Sequence, residues 1–225
     1  VDPKAILDSV IKWVRGILLD PNPTAAEYQA SNTPWKTTLV ELAIPVAVAS
    51  YLIAWILSWI TGGTFGLGVM ASAPFWVLVA LAWAVAYLLI VAFVFDYFAG
   101  MFGGTRSFDQ SVAMVTLAMI PATLGNILAP VPWIGWLLSL AATIYGLVLL
   151  YRFVPVFQAV PEPNRVKHFV VSFVTCLVIN IIVATVIGTF VATSVMMSGH
   201  SVSDTSSSGG FGSGIERQAA VMEQA

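Results

Sequence analysis

The sequence predicts an all-α integral membrane protein: a bundle of five transmembrane helices preceded by an amphipathic helix. Three observations predict it. Only 9% of the 225 residues are Asp, Glu, Lys or Arg, against roughly 25% in soluble domains. Hydrophobic residues make up 59%, so polar surface is too scarce to cover a water-soluble globule of this size. The uncharged runs are long: 54 residues over Leu42–Phe95, 42 over Gln110–Tyr151 and 35 over Phe169–Ser203. A span takes about 20 apolar residues, so the runs hold two, two and one helices. This composition excludes a soluble enzyme and a disordered chain. A net charge of -2 lacks the basic footprint of a nucleic-acid binder. One cysteine, Cys176, excludes an intrachain disulfide framework.

Residues 1–36 form the first region, an amphipathic helix and linker. Asp2 can cap the helix and Pro3 suits its first position. Ile6, Val10, Trp13, Val14 and Ile17 recur at helical spacing, with Lys4, Asp8, Lys12 and Arg15 on other sides. Charges scattered through Val1–Asp20 do not make the apolar core of a signal peptide. Asp20-Pro21-Asn22-Pro23 stops the helix. Two placements fit: on the membrane interface with Trp13 at headgroup level, or packed on the protein's own cytoplasmic loops.

The membrane region, 37–197, places spans at about 37–60, 73–99, 109–128, 133–153 and 168–197. The stretch Thr61-Gly62-Gly63-Thr64-Phe65-Gly66-Leu67-Gly68 separates the first two, and Pro130-Val131-Pro132 separates the third from the fourth. The third span contains Pro121, Gly125 and Asn126. A tight helical hairpin and a partly re-entrant segment both fit, since Pro frees a carbonyl that neighbours must satisfy. Residues 198–225 form a tail. Ser201–Gly214 reads as a flexible Ser/Gly linker and Ile215–Ala225 as a short helix.

With the N-terminus inside, eight of the nine Lys and Arg residues fall on the cytoplasmic side, and only Arg217 lies opposite. That is a positive-inside bias, and it requires an odd number of spans. Trp35 and Trp59 bracket the first span, while Trp76, Trp133 and Trp136 fall near the outer surface as an aromatic belt would.

The order Met101-Phe102-Gly103-Gly104-Thr105-Arg106-Ser107-Phe108-Asp109-Gln110, then Pro121, then Pro132-Trp133-Ile134-Gly135, then Ile144-Tyr145-Gly146 resembles the Yip domain family, the Ypt-interacting membrane proteins. The family-like positions are Phe102, Gly103, Gly104, Ser107, Phe108, Gln110, Pro121, Pro132, Gly135 and Tyr145. Gly16-Ile17-Leu18-Leu19-Asp20-Pro21 is similar to the lead-in segment of bacterial members, and the resemblance covers roughly Ile11 to Ser194. It implies five spans, a cytoplasmic N-terminus and, for a short N-terminal region such as this, a prokaryotic-type member of a bacterial inner membrane. Eukaryotic members have a longer cytosolic region tied to Rab-type GTPases and vesicle traffic.

Gly103-Gly104 permits a tight turn. Ser107 can cap the third span with Gln110 as capping-box partner. A phosphate-cradling loop fails, since no Lys-Ser/Thr follows and no strand precedes. Asp96, Arg106, Asp109 and Arg152 map to cytoplasmic helix ends. They form either an ion-pair cluster or separate snorkelling side chains. Glu41 either pairs with Lys36 or faces a cavity. Polar residues near the midplane are such as Ser50, Thr116, Ser139, Thr143, Asn180 and Thr185, with no carboxylate for a coupled transporter and no protease motif. His168 and His200 read as interfacial and tail residues, too far apart for a shared metal.

No catalytic, cofactor or metal site is therefore expected. Small-residue stripes at Ala80/Ala84, Ala82/Ala86, Ala142/Gly146 and Ala184/Gly188/Ala192 suit close helix packing. The functional expectation is a non-enzymatic protein that organises or stabilises membrane partners, or further copies of itself, within the lipid bilayer by lateral helix contacts. The alternative is a passage protein for lipid or a small solute.

Overall fold

The computed structural model of the chain describes residues 3–61 and 74–207. Asp2, the glycine-rich link at 62–68 and the expected helix Ile215–Ala225 lie outside the described residues. The chain divides into two units, residues 1–176 and 177–225.

In the first unit, α1 (Pro3–Leu19) and α2 (Pro21–Ala30) precede the first span. That span is built from α3 (Trp35–Thr38), a π-helical turn (Leu39–Ala43) and α4 (Ile44–Ile60). Then come α5 (Pro74–Met101), α6 (Phe108–Gly125) with a 3₁₀ turn at Asn126–Leu128, α7 (Gly135–Phe157) and the start of α8 (Glu162–Ser207). No strand occurs among the described residues. Five helices are long and apolar enough to cross a membrane: Trp35–Ser58, Leu78–Met101, Phe108–Leu128, Gly135–Phe157 and Glu162–Val186.

The span ends shift for identifiable reasons. α7 runs past the expected end at Phe153, through Pro155, because Phe153, Val154 and Phe157 are all buried. Their packing outweighs the backbone bond that Pro155 forfeits. α8 begins at Glu162 rather than near His168. An acidic residue and Pro163 in its first turn suit a helix start. In the first span Pro45 lacks the N–H that Glu41's carbonyl would need, and the turn before it widens. The Ile44 N–H bonds the Leu39 carbonyl, five residues back.

The third span is the centre of the unit. Of the residues in its apolar stretch 61% are buried, against 11–28% in the other four. Val112, Met114, Val115 and Leu117 are fully enclosed. The helix continues through the buried Pro121. At 1.5 Å per residue its 21 residues reach about 31 Å, matching a hydrocarbon core of about 30 Å. Small residues let α7 approach it. A Cβ on Gly125 would collide with the Ala142 side chain, and one on Gly146 would lie 2.9 Å from the Ala118 carbonyl.

The N-terminal segment holds a helix that the sequence reading lacked. Pro21 ends α1 and also starts α2, because proline at a first helical position has no N–H to leave unpaired. The two helices close on each other where Gly16 meets Thr24; a Cβ there would sit 2.7 Å from Thr24 Cγ2. Trp13 stacks edge-on against Tyr28 at 4.8 Å, and Tyr28 donates to Thr38 Oγ1 at 3.0 Å. Burial pushes the Tyr28 phenol above its ordinary range, and the Thr38 hydrogen bond partly opposes this. Ile17 is fully buried, so α1 packs one face on the protein itself. Leu7, Ile11, Leu18 and Leu19 on α1 stay exposed.

Trp133, in the link between α6 and α7, and Trp136, at the start of α7, are exposed, as a belt position requires. The side chain of Trp76 lies outside the described residues. The second unit is described as far as Ser207 and continues α8. Ser201–Ser207, expected as flexible linker, is helical. Serine costs a helix only a fraction of a kcal/mol relative to alanine, and elongation of an existing helix needs no new nucleus.

Candidate functional site

The ends of several spans meet in a polar clasp. The Trp35 N–H at the start of the first span donates to Asp109 Oδ1 on α6 at 2.7 Å. The Thr105 N–H, in the loop after α5, donates to the Gln158 carbonyl just past α7 at 2.8 Å. Asn164 Nδ2, in the first turn of α8, donates to the Phe102 carbonyl at 3.2 Å. These bonds gather the start of the first, third and fifth spans with the end of the second and fourth, as alternating span directions demand.

The clasp centres on buried polar side chains. Asp96, on the last turns of α5, is 6% exposed, and Ser111, Gln158 and His168 are fully buried. Gln158 Nε2 donates to Ser111 Oγ at 2.9 Å, and Ser111 donates to Asp96 Oδ1 at 3.4 Å. Arg106 Nε lies 3.6 Å from Asp96 Oδ2, with the arginine more than half exposed. His168 Nε2 is 3.1 Å from the Phe95 carbonyl. A carbonyl only accepts, so Nε2 carries the proton. The imidazole edge packs between Phe95 and Phe102. This corrects the reading of His168 as an interfacial residue: it is a core side chain of the clasp. Gln158 Oε1, His168 Nδ1 and Ser172 Oγ are buried without a partner among the described residues, the kind of atom that ordered water satisfies.

The loop Met101–Ser107 fits only as glycine allows. Gly103 has φ +80. A Cβ on Gly104 would lie 2.6 Å from the Gln158 carbonyl oxygen and 3.1 Å from that of Ala99. The Gly104 N–H bonds Ala99 at 2.8 Å. Ser107 caps α6 by accepting the Gln110 N–H at 3.4 Å. The reciprocal half of the expected capping box does not form. Gln110 Nε2 reaches instead to Asn32 Oδ1 at 2.8 Å and to the Gln29 carbonyl at 3.4 Å, joining α6 to the end of α2.

Of the four charged positions, Asp96 and Arg106 come together. Asp109 takes a backbone N–H, and Arg152 is exposed on α7 outside the clasp. Lys36 lies over the Trp35 ring at 5.6 Å. Among the motif positions, Phe102, Gly103, Gly104, Ser107 and Gln110 belong to the clasp, and Phe108 packs edge-on against Trp35 at 5.7 Å. Pro121 sits in the body of α6. Pro132 and Gly135 shape the turn into α7, where a Cβ on Gly135 would collide with the Leu128 carbonyl. Tyr145 is 37% exposed on α7. Sequence reasoning missed Ser111 and Gln158. Ser111 had one signal, a polar residue just inside an uncharged run, and Gln158, beyond Arg152, lay outside every such run.

The arrangement holds helix ends. Its titratable groups are tied to one another or to backbone, and among the described residues no cluster of three His, Cys, Asp or Glu could hold a metal.

A chain of apolar helices that alternate in direction, with buried Asp96, Ser111, Gln158 and His168 collected at one end, is a polytopic integral membrane protein. A family model for the Yip1 domain matches residues 15–187, and the chain belongs to the Yip1 domain family. No curated protein matches the chain, and no solved structure does.

Proposed function

We propose that this protein is a non-enzymatic membrane scaffold that organises or stabilises a membrane partner, or a further copy of itself, by lateral contacts of its last span. The supporting observation is Gly188. Gly125 and Gly146 serve close approach between α6 and α7, whereas Gly188 continues a further stripe of small residues, Ala184, Gly188 and Ala192, along α8. Glycine in a helix costs about 1 kcal/mol relative to alanine. In lipid, where apolar burial between helices gives little driving force, small residues are what admit a second helix. The non-enzymatic part rests on the sequence, which offers no nucleophile–base pair and no metal motif within the spans. The clasp lies on the cytoplasmic side in this reading, because Lys36, Arg106, Arg152, Arg165 and Lys167 cluster around those helix ends. A bacterial inner membrane is the proposed location.

The test is photo-crosslinking in native membranes from position 185, compared between the wild-type background and Gly188→Leu at equal expression. A discrete cross-linked protein, or a self-dimer, reduced at least fivefold by the leucine is expected. Identical recovery in both backgrounds would defeat the scaffold reading.

A further inference from the structure

The groove beside the N-terminal helix lies within the first unit. It encloses about 600 Å³ between α1, the first span and the far end of α6. Leu7, Ile11 and Leu18 line it from α1, Ala49 and Ile53 from α4, and Ile127 from the turn after α6. On α1, Leu7 is 58% and Ile11 53% exposed, so an apolar row on a charged helix faces an open space. Two lining residues break the apolar character. Arg15 is the only charged one among the described lining residues. Ser50 is 5% exposed, and its hydroxyl has no hydrogen-bond partner. Serine inside a span ordinarily bonds a carbonyl one turn back, as Thr175 and Thr185 do here. A buried hydroxyl left unpaired in a cavity wall is open to an occupant's acceptor or to ordered water.

Size selects the occupant. The volume lies within the roughly 300–1,000 Å³ of small-ligand pockets. A partner helix about 10 Å across would fill it with only about 8 Å of its length, little more than one turn. An acyl chain needs no polar partner along its length and enters from the surrounding bilayer. We propose that this groove is a binding site for one membrane phospholipid. Its acyl chain lies between α1 and α4, and its phosphate pairs with Arg15. Arginine is suited to this role because its planar donors match phosphate oxygens and it stays charged at every physiological pH.

The experiment uses the full chain in liposomes. It compares a phosphatidylglycerol carrying a photoreactive group on one acyl chain with a diacylglycerol carrying the same chain but no phosphate. Phospholipid label is expected on peptides spanning Leu7–Leu18 and Ala49–Ile53. Ala49→Trp, which fills the groove from an exposed position, should reduce it at least fivefold. Arg15→Gln should reduce phospholipid labelling about threefold and leave diacylglycerol labelling unchanged. Should Ala49→Trp fail to fold, Leu7→Trp fills the same space from α1. Equal phospholipid labelling in wild type and in the filled variant would overturn the site. Phospholipid labelling indifferent to Arg15→Gln, or cross-links between two copies in place of lipid, would overturn it as well.

Discussion

Replacing Gly104 by alanine tests whether the clasp is a rigid determinant of the fold. The new Cβ would lie 2.6 Å from the Gln158 carbonyl oxygen, where ordinary contact begins at 3.4 Å. The loop would have to retreat by about 0.8 Å, which stretches the 2.8 Å bond from the Thr105 N–H to that carbonyl to about 3.6 Å, beyond hydrogen-bond range. The Gly104 N–H bond to Ala99 would be strained with it. Losing the first bond leaves the acceptor of the buried Gln158 unpaired and costs about 1–3 kcal/mol, and losing the second costs about 1 kcal/mol. Alanine restricts the unfolded chain and returns about 0.4–1 kcal/mol. A net loss of about 1–3.6 kcal/mol remains, or on the order of 2–14 °C in unfolding temperature for a chain of this length. Cys176 is the sole cysteine and is buried, so a thiol-reactive fluorogenic dye in mild detergent reads unfolding directly. Gly100→Ala is the control. Its Cβ meets the Cδ of Arg106, a flexible side chain that can turn away, and the helix gains about 1 kcal/mol of propensity. An unfolding temperature for Gly104→Ala within 1 °C of wild type, or a larger loss for Gly100→Ala, would refute the reasoning.

Two further predictions concern charge and topology. In a double-mutant cycle by the same assay, Asp96→Asn and Arg106→Gln should couple by up to about 1 kcal/mol, a small value because Arg106 is mostly exposed; Asp96→Asn and Arg152→Gln should be additive within about 0.3–0.5 kcal/mol, and strong coupling to Arg152 would show that the clasp is drawn wrongly. Topology reporters at Gly103 and Pro163 should read cytoplasmic and one at Pro130 non-cytoplasmic, on the distribution of Lys and Arg; the same reading at all three would reject alternating spans.

The spans were legible because charge is almost excluded from lipid, and gaps in the charge pattern therefore mark helices. The Ser107 cap and the Gly103 turn were legible too, since each rests on a local rule about one side chain. What was not legible depends on distance across the chain. Gln158 and Ser111 are 47 positions apart, and neither has a periodicity that would pair them. His168 looked interfacial because it stands at the expected start of the last span; its burial comes from Phe95 on another span and Phe102 just after it. Pro21-Asn22-Pro23 reads as a stop because proline ends helices, yet the same residues begin α2. Gln110 satisfied the spacing of a capping box, but Asn32 offered its side chain a better acceptor.

The division of labour along α6 follows from the solvent. Water drives apolar surfaces together, but lipid does so weakly, and a helix in a bilayer is located by hydrogen bonds and close backbone approach. At the end of α6 near Phe108, buried polar side chains and loop carbonyls fix its neighbours. Toward Gly125 the same task falls to small residues, with Ala142 against Gly125 and the Ala118 carbonyl against Gly146; there the Ser139 hydroxyl adds one bond to the Gly125 carbonyl at 3.0 Å. The polar end is built from loops whose carbonyls have few alternatives, so a one-atom change at Gly104 is felt. The small-residue end can yield by sliding one helix on another. A protein held this way keeps its central helix fixed.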